Sequence, residues 1–162
     1  MKIGVISDTH IPDRARELPA KIIEEFRNVD MIIHAGDMVD ASVYKVLSGL
    51  CKDVQVVCGN MDPGDVKDRF PPKLILKIGG ITIGVVHGWG PPKHLFEVVK
   101  EVFKDEKPDI VIFGHSHCAL SRKEGKTLYF NPGSPTDEVF APYKSFGIIE
   151  ISDTISARIM RL

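Results

Sequence analysis

The feature that most limits the folds open to this chain is an apolar run that recurs and stops, each time, at a side chain able to bind a metal. "KIGVIS" leads into Asp8-Thr9-His10, "MIIHAG" into Asp37, "VQVVCG" into Asn60, "TIGVV" into His87 and "IVIFG" into His115-Ser116-His117. Short runs rich in β-branched residues read as buried strands, here over residues 2–7, 31–34, 54–57, 74–78, 81–87 and 110–113. Between them lie stretches with helical spacing: "PAKIIEEF" with Pro19 in its first turn, "DASVYKVLSGL" with Asp40 placed as N-cap, and "KHLFEVVKEVF". Strands alternating with helices define an α/β class in which each helix crosses between strands. The last third changes character. "GG" at 79–80 and "KEGK" at 123–126 read as hairpin turns, and short antiparallel strands follow at 126–130, 145–151 and 155–161. The segment "MDPGDVKDRFPPK" (61–73) reads as a surface loop, since its prolines, glycine and charges cannot continue a strand.

At 162 residues the chain matches one domain, 1–162, with no repeat, linker or low-complexity segment. A formal charge of −1 disfavours nucleic acid as a wrapped partner. The N-terminal apolar run is interrupted too soon for a signal sequence and nothing approaches a membrane span, so a cytoplasmic protein is expected. Cys51, Cys58 and Cys118 are odd in number and form no CxxC pair, which points to reduced thiols rather than a disulfide framework or zinc ribbon.

The carboxyl ends of strands in an open α/β sheet lie along one edge, so the seven candidate ligands at these five strand ends would meet there. Gly36, Gly59 and Gly114 precede three of them and permit a tight turn or close backbone approach. Imidazole nitrogens mixed with carboxylate and amide oxygens suit manganese, iron, cobalt, nickel or zinc rather than calcium. Seven ligands exceed the needs of one ion. With one bridging carboxylate, two ions each receive four contacts and keep open positions for water and substrate. His115 and His117 cannot share one face of a strand, so a turn must present both.

These motifs, "DTH" (8–10), "GD" (36–37), "GN" (59–60), "HG" (87–88), "GHSH" (114–117) and "NPGS" (131–134), resemble those of the calcineurin-like metallophosphoesterases, in family order and over essentially the whole chain. The likeness is to the small single-domain phosphodiesterase branch. It implies a sandwich of two mixed β-sheets flanked by helices, and hydrolysis of small phosphodiesters by a hydroxide bridging two divalent metals, with manganese or nickel foremost. It implies that Asp8, His10, Asp37 and His117 hold one ion and Asp37, Asn60, His87 and His115 the other, with Asp37 as the bridge and Asp37, Asn60 and His87 in catalytic roles. Small domains of this branch are often dimers, so a homodimer or higher homo-oligomer stays open. Many family members carry a proton-donating histidine after the "GN" asparagine. Here that position is Met61, which cannot donate, so water, Asp62 or His94 must substitute or poor leaving groups are cleaved slowly. The chain is also similar to the retromer scaffold subunit of this fold, in "LPAKIIEEF", "HGWG" and "NPGS", which implies a non-catalytic or weakly catalytic interaction module as the alternative.

Several residues have plainer readings. Arg14, Arg16, Lys93 and His94 are either phosphate contacts or solvated surface charge, and Trp89 either walls the substrate pocket or packs under a loop. His34 lies inside its run rather than at the end and reads as a hydrogen-bonded core histidine. Cys58 and Cys118 read as small packing residues. "NPGS" reads as a turn that supports the site, with Asn131 and Ser134 hydrogen-bonding behind the ligands.

Overall fold

Alternate residues of the N-terminal runs face two different apolar layers, which is what makes them strands buried on both sides. The computed structural model describes residues 1–162. Its first half runs β1 (Lys2–Ile6), α1 (Ala20–Phe26), β2 (Met31–His34), α2 (Ala41–Leu50), β3 (Val54–Val56) and α3 (Gly64–Arg69). Then come β4 (Lys73–Ile78), β5 (Ile81–Val86), a 3-10 turn at Pro92–His94, α4 (Leu95–Val102) and β6 (Ile110–Ile112), followed by β7 (Leu120–Glu124), β8 (Thr127–Asn131), β9 (Ser145–Ile151) and β10 (Ile155–Arg161). They form two mixed five-stranded sheets, ordered β10-β9-β1-β2-β3 and β4-β5-β6-β8-β7. No helix is long and apolar enough to cross a membrane.

Three apolar layers hold this sandwich together. Ile3, Val5, Ile33, Val57, Ile83, Val85, Ile110, Ile112 and Phe130 fill the space between the sheets. Ile6 and Ile32 point the other way, onto Ile22 and Phe26 of α1 and Leu47 of α2. On the far side Val111 and Val86 meet Leu95 and Val99 of α4. Each outer layer is drawn tight by a glycine under a phenylalanine. A Cβ at Gly4 would stand 2.7 Å from Phe26 Cε1, and one at Gly84 would stand 2.6 Å from Phe103 Cε1. Asp40 caps α2 by accepting from the Ser42 N–H at 2.8 Å, as its position in the sequence suggests.

Two elements depart from the sequence reading. The segment 61–73 holds α3, whose only buried side chain is Val66, so no apolar stripe advertises it. Its support is charge placement instead, with Asp65 in the first turn and Lys67 and Arg69 in the last. Strand β7 is an exposed edge strand, "LSRKE", paired antiparallel to β8 around Gly125. A further difference concerns the ligand edge. The strands that end in metal-capable residues do not lie in one sheet: β1, β2 and β3 are neighbours in the first, and β5 and β6 in the second. The crevice is therefore a seam across the end of the sandwich.

Candidate metal centre

At that seam the chain leaves ordinary backbone geometry. Asp8, His10, Asp37, His115 and His117 all take left-handed conformations, with φ of 54°, 42°, 56°, 69° and 57°. Non-glycine residues rarely do so, and each costs of order 1 kcal/mol that its surroundings must offset. The glycines before the ligands make room. A Cβ at Gly59 would fall 2.1 Å from Asp37 Oδ1, one at Gly114 would fall 1.9 Å from Ser7 Oγ and 2.7 Å from Asp8 Oδ2, and one at Gly36 would fall 2.7 Å from His87 Nδ1.

The loops are pinned from behind by buried polar groups. Both oxygens of Asp62 are used on backbone: Oδ2 accepts from Gly59 N–H at 2.7 Å and Asp37 N–H at 3.1 Å, and Oδ1 accepts from Val39 N–H at 2.8 Å. Asp62 thus ties the loops after β2 and β3 together, and it is buried with both oxygens turned to backbone rather than toward a substrate. The "NPGS" turn does the same for the other loops. Asn131 Nδ2 donates to Gly114 O at 2.8 Å, Ser134 Oγ to Asp8 O at 2.7 Å, and Thr136 Oγ1 to Thr9 O at 2.7 Å. His34 is fully buried, accepts from the Gly36 N–H at Nδ1 (3.2 Å) and reaches Thr9 Oγ1 through Nε2 (3.1 Å). Burial first of all drives its pKa down to about 4, so it is a neutral structural ring.

Six of the seven expected ligands are buried or half-buried, and Asn60 is exposed. Two groups emerge whose ligand atoms converge: Asp8, His10 and His117, and Asp8, Asp37 and His87. Asp8 is common to both. Asp37 also stands between them, its Oδ2 lying 3.2 Å from His87 Nε2 and 3.7 Å from His10 Nε2, while Met61 N–H donates to its Oδ1 at 2.7 Å. His115 and Asn60 sit at the rim, with His115 Nδ1 3.0 Å from Asn60 Oδ1.

The donor atoms fit a cation better than they fit one another. His117 donates Nδ1–H to Asp137 Oδ2 at 2.5 Å, which turns its Nε2 toward His10 Nε2, 3.2 Å away. His115 donates Nε2–H to Gly90 O at 2.8 Å, which leaves the Nδ1 lone pair facing Asn60 Oδ1. His87 donates Nδ1–H to Ala35 O at 2.7 Å, and its buried Nε2 is left without an aligned hydrogen-bond partner. Ligands about 2.1 Å from one ion stand about 3.0 to 3.4 Å apart, which is the spacing these pairs show. Fixing one ring nitrogen on a carbonyl or carboxylate so that the other can bind is the usual arrangement for metal-bound histidine.

Electrostatics agree. Burial acts to lower the His87 pKa, but the Asp8 and Asp37 carboxylates outweigh it and hold it at about 9. For His117 burial is likewise outweighed, by Asp8 and Asp137, again giving about 9. Burial would raise the carboxyl of Asp137, yet His117 and the Val139 and Phe140 N–H groups keep it at about 2. The Asp37 carboxyl is held below its usual range despite burial, chiefly by His87. His10 is depressed, by burial first and then by His117 and Arg14. The centre therefore attracts positive charge, whether as protons on two imidazoles or as metal ions that displace them.

Above the cluster opens a cleft of about 650 Å³ lined by His10, Asp37, Asn60, His115 and His117 together with Asp13, Arg14, Met61, Pro92, Ser116 and Phe140. Arg14 is thus the one substrate-contact candidate placed at the mouth. Trp89 lines a separate hollow on α4 beside Val98 and Val102, and Lys93, His94 and Arg16 do not line the cleft. Asp137 was not read from the sequence. Its signal is an acidic residue three positions beyond Ser134, in a stretch where only the turn was recognised.

A two-sheet α/β sandwich with a histidine, aspartate and asparagine cluster at its strand ends, open to a polar cleft, is the build of a metal-dependent hydrolase. The chain belongs to the calcineurin-like phosphoesterase superfamily, whose domain profile matches residues 1–154. It is 40% identical to a Methanocaldococcus jannaschii protein named "probable metallophosphoesterase", over 99% of this chain and 81% of that one. A solved archaeal structure described as a novel phosphodiesterase superposes with a TM-score of 0.78, at 25% identity and covering 100% of both chains. Wild-type Vps29 of Entamoeba histolytica, solved in complex with zinc, superposes with a TM-score of 0.77, at 25% identity over 99% of each.

Proposed function

We propose that residues 1–162 form one domain that hydrolyses small phosphodiesters in the cytoplasm with two divalent transition-metal ions. The observation that carries this reading is the convergence of side chains from five strand ends into one pocket, with the lone pairs of His87, His115 and His117 turned inward by hydrogen bonds on their opposite nitrogens. Asp8, His10, Asp37 and His117 would hold one ion and Asp37, Asn60, His87 and His115 the other. Bound cations supply Lewis acidity, generating a nucleophile from water at neutral pH and offsetting phosphoryl charge. Asp37 keeps Oδ2 inward because Met61 N–H occupies Oδ1. Ala35 O fixes the His87 tautomer and Asp137 fixes that of His117, so neither ring must reorient to bind. Arg14 at the mouth offers a guanidinium to the phosphate oxygens. Similarity to an archaeal phosphodiesterase supports the substrate class, and a cleft of about 650 Å³ suits a small ligand rather than a polymer.

The likeness to Vps29 favours a second reading, an interaction scaffold, and a Vps29 solved with zinc means that metal binding alone does not separate the two. Turnover does. Protein stripped with chelator and reloaded with manganese or nickel is expected to hydrolyse bis-p-nitrophenyl phosphate, and Asp37→Ala to lose at least about 100-fold of that rate while keeping the native circular dichroism. Two ions bound per chain with no turnover under any divalent metal would retire the enzyme in favour of the scaffold.

A further inference from the structure

Apart from Met61, Pro92 and Phe140, the cleft over the ligand cluster is lined by polar and charged residues. Met61 and Phe140 stand 57% and 64% exposed. An apolar ring left in water at the mouth of a charged site recovers free energy when a ligand covers it. Phe140 is nevertheless held in place. Asp137 Oδ1 accepts from Val139 N–H at 2.9 Å, and Oδ2 accepts from the Phe140 and Ala141 N–H groups at 3.1 and 3.2 Å. That carboxylate also holds His117, so the backbone that carries the ring is anchored relative to the ligand cluster through one side chain. Its edge packs against His117 with centroids 6.0 Å apart, and Arg14 Cζ lies 5.6 Å from its centroid. Guanidinium groups stack on flat rings and also bind phosphate oxygens, so Arg14 can serve both parts of one ligand.

We propose that Phe140, with Arg14 and Met61, forms a subsite for a planar aromatic group on one ester arm, making aromatic phosphodiesters the preferred substrates. This rests on the phosphodiesterase reading above. A flat ring laid on Phe140 gains stacking as well as apolar contact, whereas an aliphatic arm gains contact alone. An anchored backbone leaves only the two side-chain torsions of the ring to be ordered when it is covered, so the entropy lost on binding is small.

Calorimetric titration of the metal-loaded protein with phenylphosphonate and with methylphosphonate tests this, because the two differ at the ring and share the anionic head. The wild type is expected to bind phenylphosphonate about fivefold more tightly, Phe140→Trp to keep the preference, and Phe140→Ala to bring it near unity. Hydrolysis of bis-p-nitrophenyl phosphate and the oligomeric state are measured on the same samples. A preference that survives in Phe140→Ala, or is missing from the wild type, overturns the subsite. So does a Phe140→Ala protein whose self-association changes while its ligand preference stands, since the ring then belongs to a contact between copies. A preference that depends on Phe140 in a protein without turnover supports the aromatic subsite and removes only the enzymatic reading.

Discussion

Two buried imidazoles, His34 and His87, are driven in opposite directions by what surrounds them. His34 has both nitrogens satisfied by uncharged partners, and burial takes its pKa to about 4. His87 faces two carboxylates and is held at about 9. Their positions in the sequence already distinguished them, one inside an apolar run and one at its end. Asp137 left no such trace, because an acidic residue in a polar loop looks the same whether solvated or buried against an imidazole. Its importance is measurable. Asp137→Asn is expected to weaken metal affinity about 10- to 100-fold, read by calorimetric titration, because the His117 ring loses the acceptor that orients it. Met61 tests the opposite side of the cleft's chemistry. With Asp62 committed to backbone and His94 off the lining, neither is placed to act as a proton donor at the cleft. Met61→His is expected to raise monoester relative to diester hydrolysis, by about 100-fold or more for a well-placed acid, and an unchanged ratio of the two rates would count against this account.

At the scale of elements, strands were easier to read than the helix and edge strand that lack an apolar stripe. The runs of β1, β2, β5 and β6 are largely buried on both faces, so nearly every residue in them is hydrophobic and their ends stand out. Neither α3, with Val66 alone buried, nor the exposed β7 imposes a period on its residues. The paired glycine and phenylalanine contacts were equally hidden, since nothing local says that Phe103 lies on Gly84. Gly84→Ala is expected to cost about 1 to 3 kcal/mol, seen as a lower chemical-denaturation midpoint, because the added methyl meets the Phe103 ring at 2.6 Å in a packed layer. Wild-type stability in that variant would mean that α4 shifts freely on its sheet.

For the whole molecule, the sequence made an α/β chain with metal-capable side chains at its strand ends legible, and the resemblance of its motifs supplied the two-sheet sandwich. Strand ends alone suggested one edge of one sheet. The division of β1, β2 and β3 from β5 and β6 depends on pairings between distant segments, β1 with β9 and β6 with β8, which no local pattern encodes. The assembled charge cluster also sets how stability responds to pH. In metal-free protein the folded pKa values of His87 and His117, about 9, lie above the 6.5 of a free imidazole. Groups raised on folding stabilise fully below pH 6.5, and their contribution fades as pH climbs toward 9. The chelated protein should therefore show a melting temperature that declines between about pH 6.5 and 9, measured by differential scanning fluorimetry, and metal-loaded protein should lack that decline. An equally steep decline with metal bound would show that these rings do not lose their protons to the ions.

The placement of the ligands across the seam has a mechanical consequence. Asp8, Asp37 and Asn60 follow strands of one sheet, and His87, His115 and His117 follow strands of the other, while apolar side chains fill the interior between the two sheets. Cations seated at the open end would act as a rivet, adding coordinate bonds to the few hydrogen bonds, such as that from His87 to Ala35 O, which already clip one slab to the other.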